Sequence, residues 1–114
     1  MGECLFCNIV ARKIPATIVY ETDKTLAFRD INPRAPVHVL VIPKEHLPSL
    51  MDVESRHAAV LADIHLAAQT VARQDKIDDK GFRLVVNVGK DSGQAVDHLH
   101  YHVLGGRKLG WPPG

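Results

Sequence analysis

The chain is 114 residues long, 46% hydrophobic and 24% charged, with 14 basic and 13 acidic side chains and a formal net charge of +1. That length suits one domain, residues 1–114, with a modest core. The interspersed charge gives no footprint for nucleic acid, and no apolar run approaches the roughly 18 residues that a membrane span needs.

The first residues hold no basic region followed by an apolar stretch, so a cytoplasmic location is the expectation. CLFCNIVARK reads as a short helix with Leu5, Phe6, Ile9 and Val10 turned inward, ended by Pro15. TIVYE and TLAFRD are rich in β-branched and aromatic residues and are separated by the polar TDK, which predicts a hairpin. INPRAP is a loop punctuated by prolines, and VHVLVIP is an apolar strand closed by Pro43. From Glu54 to Lys76 the period changes, and Leu61, Ile64, Ala68 and Val71 mark one long amphipathic helix. His57 and His65 fall on this helix and read as structural or solvent-facing. GFRLVVNVG is a strand, KDSGQA a loop and VDHLHYHVL the last strand, while GGRKLGWPPG has no regular pattern. Strands that follow one another without helical crossovers predict an α+β domain with a mainly antiparallel sheet.

The run HLHYHVLGGR, residues 98–107, holds three of the seven histidines at a spacing of two. In a strand, Val96, His98, His100, His102 and Leu104 share one face, with neighbouring imidazoles roughly 6.5 to 7 Å apart. Asp97, Leu99, Tyr101 and Val103 take the other face. A merely polar face is better served by Lys, Thr or Glu. A metal held by this strand alone lacks a third ligand from another element. A phosphate-handling site uses the pattern best, because a neutral imidazole is a nucleophile and a protonated neighbour is a cationic donor. Cys4 and Cys7 form a C-x-x-C pair with no strand before it, which fits a thioredoxin-type redox motif poorly. A metal-binding pair and two buried thiols both remain open on spacing alone.

The segment His98-Leu99-His100-Tyr101-His102-Val103-Leu104 resembles the His-φ-His-φ-His-φ-φ signature of the histidine triad (HIT) superfamily, φ being hydrophobic. FRDINPRAPVHVLVIPKEH, VVNVG, GQAVDHLHYHVLGGR and WPPG, in that order, resemble its Hint branch, the nucleoside phosphoramidases. The resemblance implies a HIT-like fold of about five antiparallel strands with one long and one short helix. It also implies a homodimer with a continuous sheet and a purine nucleotide substrate cleaved through a nucleotidyl-histidine intermediate.

Carried over by position, His100 is the nucleophile, and His102 and His38 contact the phosphate. Asp30 holds the ribose, Asn87, Gly93, Gln94 and Val96 line the phosphate loop, and Leu5, Phe6, Ile9, Phe28 and Ile31 form the base slot. Cys4, Cys7, His46 and His98 resemble the ligands of a structural zinc, a closed tetrahedral site that supplies no catalytic metal. Taken singly, Asp30 also suits a turn and His38 a packing role. With the same nucleophile, a dinucleoside polyphosphate hydrolase or nucleotidyl transferase is the enzymatic alternative, and a zinc-stabilised nucleotide-binding protein the non-enzymatic one. Ala95 replaces a hydroxyl residue of eukaryotic relatives near the scissile bond, and losing that hydrogen bond costs about 0.5–1.5 kcal/mol. Asp97 stands where many relatives carry an aromatic, and Trp111 is expected near a site or across the dimer.

Overall fold

The computed structural model describes residues 3–114. Five strands, β1 (Ile18–Glu21), β2 (Thr25–Arg29), β3 (Val37–Pro43), β4 (Phe82–Val86) and β5 (Tyr101–Gly105), form one antiparallel sheet in the order β1-β2-β3-β5-β4. Two α-helices accompany it, α1 (Leu5–Val10) and α2 (Ala58–Gln74). The expected α+β architecture and the β1-β2 hairpin are therefore both present. No helix among the described residues is long and apolar enough to cross a membrane.

Alternation along the strands divides the buried side chains between two faces. Ala27, Val39, Val41, Tyr101 and Val103 join Ile64, Ala68 and Val71 of α2 in one core. Leu26, Phe28, Leu40 and Ile42 face the opposite way and pack against Phe6 and Ile9 of α1. Strand β3 is thus covered on both sides, which explains why VHVLVIP is nearly continuous in apolar residues. Ile64 and Val71 are fully buried and take the turn-spaced positions that the sequence pattern marks for the helix core.

Several boundaries differ from the sequence expectation. Helix α1 ends at Val10, well before Pro15, because Arg12 adopts φ 62° and Lys13 N–H turns back onto the Asn8 carbonyl. Leu5, expected to face inward, is 44% exposed. The long helix does not start at Glu54: short 3₁₀ turns at Leu50–Asp52 and Ser55–His57 precede it. His57 Nδ1 accepts the Glu54 N–H at 2.9 Å and its Nε2 reaches Glu45 at 3.3 Å, which fixes this turn.

The last strand is also shorter than expected. It begins at Tyr101, opposite Val41, and leaves His98, Leu99 and His100 outside the ladder. Pro43 has no N–H to continue the pairing from β3. Across the same stretch the Leu99 N–H bonds to the Leu47 carbonyl at 2.7 Å, and the His98 carbonyl is taken by the His100 ring. The division of faces survives nevertheless, since Leu99 joins the α2 core and the three histidines lie on the other side.

Candidate active site

His98, His100 and His102 gather beneath α1, each in a different hydrogen-bonding environment. The His100 ring lies 5.0 Å from that of His102, and the Phe6 ring stands edge-on to both His100 (5.1 Å) and His98 (5.8 Å). His100 Nδ1 is 2.7 Å from the His98 carbonyl, which can only accept. Nδ1 therefore carries the proton, and in the neutral ring Nε2 presents its lone pair.

A second chain of bonds sets His38 and His102. The Arg34 N–H donates to His38 Nδ1 at 3.0 Å, so the proton of neutral His38 sits on Nε2. That nitrogen is 2.9 Å from His102 Nδ1 and 3.4 Å from Asp30 Oδ2. His102 Nδ1 thus accepts, leaving an N–H on Nε2, a buried donor without a hydrogen-bond partner among the described residues. Burial pushes His38 below the ordinary histidine value, with Asp30 opposing and Arg34 assisting. Burial, then the neighbouring His100 and His38, push His102 down to about 4, again against Asp30. Both rings are neutral near pH 7, as the tautomer assignment requires. Asp30, His38 and His102 also bring three ligand atoms close together, but Arg34 holds the His38 proton on the nitrogen a metal would need. The trio is a hydrogen-bonded relay.

Other residues expected at the site divide into groups. Asp30 serves two roles, with Oδ1 accepting the Asn32 N–H at 2.8 Å in an Asx turn and Oδ2 facing His38. Asn87 directly follows β4, one step beyond the Val86–Tyr101 pair. Gly93 has φ 85° and closes the 3₁₀ turn Lys90–Ser92, a left-handed position that suits glycine. The Gln94 side chain is committed to its own loop: Oε1 accepts from Gly89 N–H, and Nε2 donates to the Pro48 and Val96 carbonyls. Val96 packs against the α1 core. The five apolar candidates do not form one cluster. Phe6, Ile9 and Phe28 are buried together, whereas Leu5 stands at the surface and Ile31 is 90% exposed.

The remaining triad histidine belongs to a separate group. His98 Nε2 donates to the Pro43 carbonyl at 2.8 Å, so its Nδ1 is a free lone pair. Around it stand Cys4 Sγ at 3.4 Å, Cys7 Sγ at 3.6 Å and His46 Nδ1 at 3.2 Å, with Cys7 Sγ 3.2 Å from His46. A tetrahedral zinc with ordinary bond lengths separates its nitrogens by about 3.3 Å and a nitrogen from a sulfur by about 3.6 Å. The donor set fits such an ion, with the Pro43 carbonyl as the outer partner that orients a ligating histidine. Burial and the neighbouring Cys4 push the Cys7 thiol up to about 11, so a cation is what would favour its thiolate here.

Three contributors are not legible in the sequence: the Arg34 N–H, the Pro43 carbonyl and the His98 carbonyl. All are backbone groups, and residue type carries no signal for them. The Phe6 ring, a base-slot residue by resemblance, packs against His98, His100 and Phe28.

Residues 11–109 match the HIT domain. The chain is 46% identical to a 14 kDa zinc-binding protein of Brassica juncea over 98% of its own length and 100% of that protein. It is also 46% identical to Adenylylsulfatase HINT1 of Arabidopsis thaliana, over 96% of this chain and 76% of the relative. Among solved structures, a HIT family hydrolase from Legionella pneumophila Philadelphia 1 superposes with a TM-score of 0.96 at 47% identity, covering 98% of this chain and 100% of that one.

Proposed function

The chain belongs to the HIT domain family, and on that premise we propose that it is a nucleoside phosphoramidase. It hydrolyses a purine nucleoside 5′-phosphoramidate to the monophosphate and an amine. The observation that carries this reading is the pairing of two tautomers. His100 Nδ1–H is tied to the His98 carbonyl, freeing Nε2 to attack, and the adjacent His102 Nε2–H is a buried donor with no partner among the described residues.

In the first step His100 Nε2 attacks the α-phosphorus, the P–N bond breaks and the departing amine takes a proton. His102 Nε2–H bonds the phosphoryl oxygen, where negative charge accumulates. The leaving nitrogen takes its proton from solvent, because His102 Nδ1 is already occupied by the His38 N–H, and the water consumed in the second step returns that proton. Water then attacks the nucleotidyl-imidazole, the P–Nε2 bond breaks and His100 is restored. Asp30 Oδ2 accepts from a ribose hydroxyl, and the backbone N–H groups of Ala95 and Val96 supply phosphate donors. Those of Gly93 and Gln94 are bonded to the Lys90 and Gly89 carbonyls, and the Gln94 side chain is committed. When bound, zinc on Cys4, Cys7, His46 and His98 has no open position and acts structurally.

The relative named for adenylylsulfatase activity supports a second leaving group, sulfate, on the same nucleophile. The test is to incubate the protein with an adenosine phosphoramidate, adenylyl sulfate and diadenosine polyphosphates, following AMP release. Phosphoramidate turnover is expected to dominate, and His100→Ala to lower it by about 10³-fold or more, the order lost with other covalent nucleophiles. AMP binding without turnover of any substrate would favour a binding protein. Equal rates for the wild type and His100→Ala would overturn the mechanism.

A further inference from the structure

A cavity of about 490 Å³ lies at the C-terminal end of α2, between the turn that follows the helix and the chain leaving β5. Its polar side chains are all cationic: Lys76, Lys80, Arg107 and Lys108. Ile77 and two glycines, Gly81 and Gly106, complete the lining. Asp78 and Asp79, in the same turn, do not line it. Among the described residues none of the four cations forms an ion pair. The nearby Asp75 is occupied by Arg29.

Four unpaired cations around one hollow repel one another, and a protein with a net charge of +1 has no general excess of base to explain them. The arrangement is also partly pre-organised. Arg107 Nη1 donates to the Lys108 carbonyl at 3.0 Å and Nη2 to the Arg34 carbonyl at 2.9 Å, so its planar guanidinium is already held. Gly106 is fixed as glycine, because its φ is 90° and an added Cβ would lie 2.8 Å from Pro36. The cavity size falls in the range of small-molecule sites, roughly 300–1,000 Å³.

We infer that this cavity is a second anion site, for a compact oligophosphate, separate from the histidine cluster. Charge matching favours that class: one carboxylate or one chloride leaves most of the four cations unneutralised, whereas a triphosphate-sized anion does not. Guanidinium and ammonium groups are also the ordinary partners of phosphate oxygens. The four cations surround a single hollow, which suits a small ligand better than an extended nucleic acid.

The test uses the full chain labelled with ¹⁵N and titrated with sodium tripolyphosphate, with sodium acetate at matched ionic strength as the control. Saturable shifts are expected at the Ile77, Gly81 and Gly106 amides, with none from acetate. Lys80→Gln/Lys108→Gln alters two exposed side chains, and its melting temperature checks that it folds. It should bind tripolyphosphate roughly tenfold more weakly, the loss expected of two partly screened contacts. Shifts confined to residues 89–96 and His102 would mean that the anion occupies only the site proposed for the nucleotide. That result, equal affinity for wild type and variant, or no saturable shift at all, would overturn the inference. Failure of the phosphoramidase assay would leave these shifts unaffected.

Discussion

At the scale of single residues, three histidines of one motif become unlike because each is held by a different partner, two by backbone carbonyls and one by another imidazole. His98 gives Nε2–H to Pro43, His100 gives Nδ1–H to His98, and His102 accepts on Nδ1 from His38. The consequence for pH follows from His102. Its folded value lies near 4 against an ordinary 6.5, so on acidification the unfolded chain takes up its proton first. Stability from this group is full above about pH 6.5 and falls as the pH drops towards 4. Melting temperature followed from pH 7.5 to 4 should decline more steeply for the wild type than for His102→Asn. Parallel curves would sink the assignment. The histidine motif and the Cys4–Cys7 pair are legible as residue types at a spacing, whereas His38, Asp30 and His46 come only from the resemblance to the HIT family. The protonation pattern of the histidines is not legible, since the deciding groups are carbonyls and an amide that every residue carries.

Among the elements, α1 shows most clearly how local pattern and tertiary contact divide the work. Six residues are too few for a stable isolated helix. It persists because Phe6 and Ile9 are buried against β2 and β3, and because Cys4 caps it by accepting the Cys7 N–H at 3.3 Å. The Cys4, Cys7, His46 and His98 cluster therefore ties α1 to the end of β3 and to the start of the histidine motif. Zinc removal with a chelator should lower the melting temperature of the wild type by about 5 °C or more, the effect of roughly 1 kcal/mol in a domain this size. Cys7→Ser should start lower and respond little to chelator. An identical chelator response in both proteins would refute the role. Helix α2 tests ordinary packing: Ile64 is fully buried against the sheet, and Ile64→Ala should cost about 2–5 kcal/mol in chemical denaturation. Its periodicity made α2 readable, whereas its start was obscured by 3₁₀ turns capped by Ser49 and fixed by His57. The start of β5 was missed for a different reason. Alternation predicts which face a side chain takes, and here it continues through residues whose backbone bonds have gone elsewhere.

For the whole molecule, the two edges of the sheet are treated differently. The β1 edge is short, has a register irregularity between Ile18 and Tyr20, and carries Glu21 between Arg12 at 2.5 Å and Lys44 at 2.7 Å. Charge and irregularity of this kind block pairing with another strand. The β4 edge has neither device along its inner face: Phe82, Leu84 and Val86 pack on the α2 core and are only half-buried. Arg83 turns away, with its guanidinium 6.0 Å from the centre of the 82% exposed Trp111 ring and an Nη2–H on the Gly110 carbonyl. A five-residue edge that exposes unpaired backbone beside half-buried apolar side chains is what a second copy of this chain would cover by antiparallel pairing. Light scattering should then give a mass twice the 12.6 kDa of the chain. Hydrogen exchange should find the Leu84, Val85 and Val86 amides protected at high concentration, with those facing the open edge losing protection on dilution. A single-chain mass at every concentration, with those amides exchanging freely, would leave the β4 edge open and the homodimer without support.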